Sequence, residues 1–499
     1  MAAAKEKVAV IGSGFGGLSA AIRLACAGYE VSIYEKLDKP GGRAYQYEID
    51  GFRFDAGPTV ITAPHQYDEL FELAGEKRED HINFKPLNPF YRIFKTPDNH
   101  FDYWREQEKI EQEIAKFNSA DVPGYRKFIA DIEKIFHWFY PFTEKSFTSL
   151  NSFSGILPGV ARTGTWRSMH GFASRRITDD FLKQVTSFHP LLVGGNPFDT
   201  PSIYGLIIQF EKQWGIHYCE GGTGAIVNAL TKLFLKSGGK LMLNAEVDQI
   251  LIENKSVKGI LLKDGSRHLA DRVVCNGDIT FTYKNLISDQ HRPKLADLYL
   301  SKLEYSNSLM VIYFGTKIDY ADSKLSHHNL ILGKDYNKLM AEIFNKKKLP
   351  QELGLYLHMP SRTDNTIAPE GCGSFYVLSL VPNLDADINW EEISERYCER
   401  ILTYLEENYL PGLRENIIVK HVVNPLHFKN TLNSYKGAAF SIKPSMLQSG
   451  YFRPQVRSKY FKGLYFVGAG VHPGAGVPAV MASGKIAAAE IMNPGSASV

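Results

Sequence analysis

The stretch that most constrains this chain is residues 8–17, Val-Ala-Val-Ile-Gly-Ser-Gly-Phe-Gly-Gly. Residues 8–11 are small or β-branched and apolar, as in a buried strand, and Leu18, Ala20, Ala21, Ile22, Leu24 and Ala25 then recur at helical spacing. Between them Gly12, Gly14 and Gly17 fill the pattern G-x-G-x-x-G, with Gly16 a fourth small residue. In such a strand–turn–helix unit the first glycine makes the tight turn and the second lets a pyrophosphate lie on bare backbone. The third brings helix and strand together. Free N–H groups at the helix start, helped by the helix dipole, favour an anion there.

The next residues agree with that reading. A second apolar strand is expected over 31–34, and Glu35 ends it. That is roughly 20 residues beyond the glycines, where a carboxylate binds a ribose hydroxyl pair. An acid at that place disfavours a 2′-phosphate, so FAD and NAD both qualify. Residues 40–43 read Pro-Gly-Gly-Arg, and Gly42 and Arg43 offer a backbone amide and a guanidinium to the same pyrophosphate. Residues 51–59 alternate aromatic and polar side chains, then break at Gly57-Pro58-Thr59. This is a short strand ending in a turn, which either brings the backbone of Gly57 and Thr59 close to a flat ring or is purely structural.

Composition sets the outer limits. At 499 residues the chain is too long for one core, so two domains are expected. A net charge of +3 with no block of basic residues argues against nucleic acid. The five cysteines (Cys26, Cys219, Cys275, Cys372, Cys398) are scattered and form no C-x-x-C, which fits a reducing cytosol and offers no metal site. No secretory signal is read at the start. Residues 463–484 lack Asp, Glu, Lys and Arg, but their glycines and prolines make them a buried loop and helix, not a membrane span.

From 84 to 204 aromatics crowd in and helical periods dominate. Phe128, Ile129, Ile132, Ile135, Phe136 and Phe139 share one helix face, with Trp138 and Tyr140 nearby. Two expectations follow: the core of a helical substrate domain, or a surface that touches a membrane, with Arg126, Lys127 and Lys134 on the same segment. A helix over 225–236, stopped by Ser-Gly-Gly, leads into strands over 240–243, 246–253, 257–263 and 272–276. Residues 285–425 mix helices and strands without a chemical signature. Residues 463–470 form another strand running into glycine, and His472-Pro-Gly-Ala-Gly-Val-Pro478 opens a small-residue helix over 479–492. The expected organisation is α/β: a Rossmann-like two-dinucleotide domain from 1–83, 205–284 and 426–499. It is interleaved with an α+β, partly helical substrate or membrane domain from 84–204 and 285–425.

With both ends in view, the chain resembles the bacterial-type phytoene desaturases of the FAD-dependent, amine-oxidase-like superfamily. The resemblance spans essentially the full length. It rests on Gly468-Ala-Gly-Val-His-Pro-Gly-Ala-Gly-Val-Pro478, Pro40-Gly-Gly-Arg-Ala44, Phe54-Asp-Ala-Gly-Pro-Thr59, Leu192-Val-Gly-Gly-Asn-Pro-Phe198 and Gly221-Gly-Thr-Gly224. It implies successive dehydrogenation of 15-cis-phytoene to all-trans-lycopene with FAD bound. Quinone or oxygen would accept the electrons, and the protein would be cytoplasmic, peripherally attached to a membrane and open to homo-oligomer formation. The implied FAD contacts are Gly12, Ser13, Gly14, Phe15, Gly16, Gly17, Glu35, Lys36, Gly42, Arg43, Gly57, Pro58, Thr59, Val247, Gly468, Ala469, Gly476 and Val477. Some members are credited with an acid and an arginine after the aromatic helix, whereas 148–157 here contains neither.

Desaturation takes a hydride from one carbon and a proton from its neighbour; the cofactor does the hard step while the protein aligns the C–H bond and keeps water out. His472 is the candidate for chemistry beside the ring, against a role in positioning backbone. The alternatives are a neurosporene-forming desaturase, a desaturase of C30 diapophytoene (dehydrosqualene), an amine oxidase, and a non-catalytic prenyl-lipid carrier of the same fold.

Overall fold

The computed structural model describes residues 5–147 and 155–493. Its first layer is a parallel sheet of five strands, in the order Leu464–Phe466, Arg272–Cys275, Lys7–Ile11, Glu30–Tyr34 and Lys240–Met242. Lys7–Ile11 lies at its centre, and Val8, Ala9 and Val10 are buried. A strand covered on both faces needs a continuous apolar run rather than alternation, which is what residues 8–11 supply.

Two helices on this sheet come from opposite ends of the chain. Phe15–Cys26 packs along Val477–Met492, and Ser19 Oγ donates to the Met481 carbonyl at 2.9 Å. Small residues on both helices permit the close approach. A three-stranded antiparallel layer, Val247–Glu253, Ser256–Leu262 and Arg267–Leu269, joins the sheet's flank. The third of these strands was not expected, because Arg-His-Leu is too short to show a period.

The second layer is a seven-stranded sheet. Its order is Ile417–Val423, Ser308–Thr316, Gly373–Val381, Leu355–His358, His328–Ile331, Tyr91–Thr96 and Asn99–Tyr103. Segment 84–204 therefore contributes a hairpin as well as helices. Its pattern was obscured because Ile93 and Phe94, adjacent in sequence, are both buried on opposite faces of a covered sheet.

Helix Val122–Phe139 turns Phe128, Ile129, Ile132, Ile135, Phe136 and Phe139 inward. That aromatic face is core, not membrane contact. Among the described residues no helix is long and apolar enough to cross a membrane. The acid-free, arginine-free stretch noted at 148–157 lies mostly outside the described residues.

Candidate active site

A cavity of about 670 Å³ lies between the two layers. One wall is built from the glycine turns of both chain ends, and the other from the seven-stranded sheet and the helices beside it. Gly14, Phe15, Gly42, Arg43, Gly57, Pro58 and Thr59 line the first wall with Gly468, Ala469, His472, Gly476 and Val477. Residues more than 400 positions apart in sequence thus face one space, because the strands Lys7–Ile11 and Leu464–Phe466 flank a common neighbour, Arg272–Cys275.

Gly12, Ser13, Gly16, Gly17, Glu35, Lys36 and Val247 do not line the cavity itself. Gly12 and Gly17 shape its floor from behind. Gly12 has φ +91°, and a Cβ at Gly17 would run into the Gly12 carbonyl. The side chain of Asn276 sits among these turns: a Cβ at Gly14 would stand 2.7 Å from its Nδ2, and one at Gly16 2.7 Å from its Oδ1. Sequence reasoning missed Asn276, which carries no motif and matters only as the residue after the strand Arg272–Cys275.

Glu35 is buried just beyond this floor. Its carboxylate accepts from Ser13 N at 2.9 Å, Ser13 Oγ at 2.7 Å and Leu37 N at 3.0 Å. Lys36 turns away, its Nζ 3.0 Å from Asn433 Oδ1. Val247 is a buried residue opening the strand Val247–Glu253.

Arg43 rises from the turn Gly42–Ala44, and its Nη2 donates to Ser434 Oγ at 2.7 Å. Its Nε is buried without a partner. Burial lowers its pKa, opposed by the nearby Asp278 carboxylate. A guanidinium with an unmatched donor at a cavity wall calls for an anionic oxygen, and a dinucleotide pyrophosphate supplies one. Val477, Pro478, Ala479 and Val480, the first turn of Val477–Met492, reach the same cavity, so that helix presents its positive end there. The residues present therefore fit FAD.

His472 is buried, and its Nε2–H donates to the Phe142 carbonyl at 3.0 Å while Nδ1 has no partner. Burial depresses its pKa to about 4, so it is neutral. Thr59 Oγ1 lies 2.9 Å from the Tyr356 hydroxyl and 2.8 Å from that of Tyr376, and Tyr356 is 2.6 Å from His328 Nδ1. Behind them His358 Nε2 meets His327 Nε2 at 3.0 Å. Burial pushes all three histidines well down, and their possible ligand atoms lie within 4.8 Å of one another. An ion shared tetrahedrally would hold them about 3.4 Å apart. No motif points to this group, since strand pairing brings His328 and its neighbour His327 to His358 across the sheet.

The opposite wall is hydrocarbon and aromatic: Phe188, Leu191, Ile207, Phe210, Leu330, Leu332, Tyr336 and Leu339. Such a surface suits a long apolar molecule and excludes water.

This pairing of a dinucleotide cradle with a dry, enclosed space defines a flavin-dependent oxidoreductase. A solved structure of a redesigned putrescine oxidase superposes with TM-score 0.67 at 15% identity, covering 98% of this chain and 99% of the other. The chain belongs to the flavin containing amine oxidoreductase family, whose model matches residues 15–492. It is 43% identical to the lycopene-forming phytoene desaturase of Pantoea ananas over 96% of this chain and 97% of that one. It is 39% identical to the neurosporene-forming phytoene desaturase of Rhodobacter capsulatus, over 97% and 93%.

Proposed function

We propose that this protein is a phytoene desaturase that binds FAD and converts 15-cis-phytoene to all-trans-lycopene. The observation that carries the reading is the single cavity with an FAD cradle on one side and a hydrocarbon wall on the other. Residues 468–478 and the N-terminal glycines complete the cradle only together, as full-length similarity to desaturases would require.

When bound, FAD supplies the two-electron oxidant that removes a hydride from an allylic carbon. The chain's own residues do the rest. Glu35 would hold the ribose edge; Arg43, with the backbone of Gly14 and Gly42, would hold the pyrophosphate. The positive end of Val477–Met492 favours negative charge on the ring's side of the cavity. Phe188, Leu191, Leu330 and Leu339 align the chain of the substrate and keep water from a cationic polyene. His472, with its N–H committed to Phe142, fixes the wall by positioning backbone.

Peripheral attachment to a membrane belongs to the same proposal. Leu295, Leu298 and Tyr299 are exposed on the helix Lys294–Ser301, and Met446, Leu447 and Phe452 are exposed alongside, with Tyr299 donating to the Phe452 carbonyl at 3.0 Å. Apolar side chains gathered near Lys294 and Lys302 suit a lipid headgroup boundary. A quinone dissolved in that membrane, or oxygen, would take the electrons.

Expression in cells that accumulate phytoene tests the function. Red lycopene is the expected pigment. Neurosporene would mean earlier release, and unchanged phytoene with intact holoprotein would refute the reading.

A further inference from the structure

We propose that Glu211 is the proton acceptor of the desaturation, a deepening of the proposed function that rests on that reading. Glu211 lies on helix Leu206–Trp214, whose Ile207 and Phe210 form part of the hydrocarbon wall, and it lines the cavity with them. Its side chain is 1% exposed. Tyr91 donates to Oε1 at 2.7 Å, and His189 Nε2 lies 3.1 Å from Oε2. Placing a carboxylate in an apolar wall is costly, and an amide would satisfy the same tyrosine without the charge.

Among the described residues that line the cavity, Glu211 and Asp278 are the carboxylates. Asp278 is committed elsewhere: it accepts from Thr280 N and Phe281 N at 3.0 Å and from Ser441 Oγ at 3.1 Å, and it faces Arg43 on the cradle side. Glu211 has two oxygens and about four acceptor positions, of which Tyr91 and His189 take two. The remaining positions have no protein donor among the described residues.

The chemistry balances. One C–H bond of the substrate is broken with its electron pair passing to the oxidant, which leaves an allylic cation. The neighbouring C–H bond then breaks heterolytically: its proton goes to a Glu211 oxygen and its electron pair becomes the new π bond. Before that step the carboxylate also stabilises the cation through an interior of low dielectric. The proton leaves Glu211 when the final acceptor takes up two electrons and two protons. His189 is a positioning residue; it is fully buried, with Nδ1 unpartnered.

The test uses FAD-loaded protein in lipid vesicles containing 15-cis-phytoene, mixed without oxygen, with flavin bleaching followed in time. Wild-type protein must bleach; if it does not, the desaturase reading itself fails. Glu211→Gln is expected to keep FAD but to bleach roughly 10²-fold or more slowly, with partial recovery in Glu211→Asp. Infrared difference spectra should show a protonated carboxyl band in wild type that Glu211→Gln lacks. Should Glu211→Gln not fold, Tyr91→Phe decides. The titratable groups facing this carboxylate are Tyr91, Tyr103 and His189. Losing the Tyr91 hydrogen bond should move the protonated carboxyl band to higher frequency while FAD content stays unchanged. Bleaching by Glu211→Gln within about threefold of wild type, or a carboxyl band in Tyr91→Phe at the wild-type position, overturns the proposal.

Discussion

Replacing Glu35 with alanine should weaken FAD binding by an amount the structure bounds. A carboxylate has about four acceptor positions. In this fold three are taken by Ser13 N, Ser13 Oγ and Leu37 N. One is left for a ribose hydroxyl, and a hydrogen bond to a charged acceptor contributes about 1.5–3 kcal/mol. Glu35→Ala should therefore raise the FAD dissociation constant roughly 10- to 150-fold. The same change leaves three donors without an acceptor in a buried turn, so the protein should also be less stable. The two effects separate if apoprotein is titrated with FAD by flavin fluorescence quenching at a temperature where circular dichroism shows the variant folded. Glu35→Gln keeps an acceptor but loses the charge and should fall between. A dissociation constant for Glu35→Ala within about threefold of wild type would refute the assignment of Glu35 to the ribose.

Acid should destabilise the protein through His472. Its folded pKa, about 4, lies below the ordinary 6.5, so the unfolded chain binds more protons between those values. Stability from this group is complete above pH 6.5 and is lost as pH falls towards 4, by about 3 kcal/mol in all. His472→Gln should flatten that part of the urea-midpoint profile; an unchanged slope would contradict the buried neutral imidazole. Gly17→Ala should cost about 1–3 kcal/mol, because its methyl group meets the Gly12 carbonyl, and a melting temperature equal to wild type would show that the turn relaxes. Leu298→Glu with Leu447→Glu should reduce sedimentation with anionic lipid vesicles while leaving FAD content unchanged; undiminished sedimentation would move the membrane contact elsewhere.

The strand–turn–helix units at both chain ends were legible from sequence because their requirements are local. Residues 8–17 must turn tightly against a helix, Glu35 must end the next strand, and 468–478 repeat the strand-to-glycine pattern. The helix face at 128–139 was equally plain, since a period of three and four residues survives any tertiary setting. What stayed hidden depends on pairing across the chain. Asn276 and Glu211 carry no local pattern; each gains its place from neighbours more than 100 residues away, such as Gly14 and Tyr91. The hairpin Tyr91–Thr96 and Asn99–Tyr103 was obscured because strands covered on both faces do not alternate. The helix Val477–Met492 begins two residues earlier than the sequence suggested, Pro478 occupying its first turn.

The most direct measurement is anaerobic mixing of purified, FAD-reconstituted protein with vesicles carrying 15-cis-phytoene, followed by flavin absorbance and pigment extraction. The account predicts that the flavin bleaches and that a more conjugated carotenoid forms in proportion to the electrons taken up. Protein that binds FAD yet neither bleaches nor changes phytoene would contradict it.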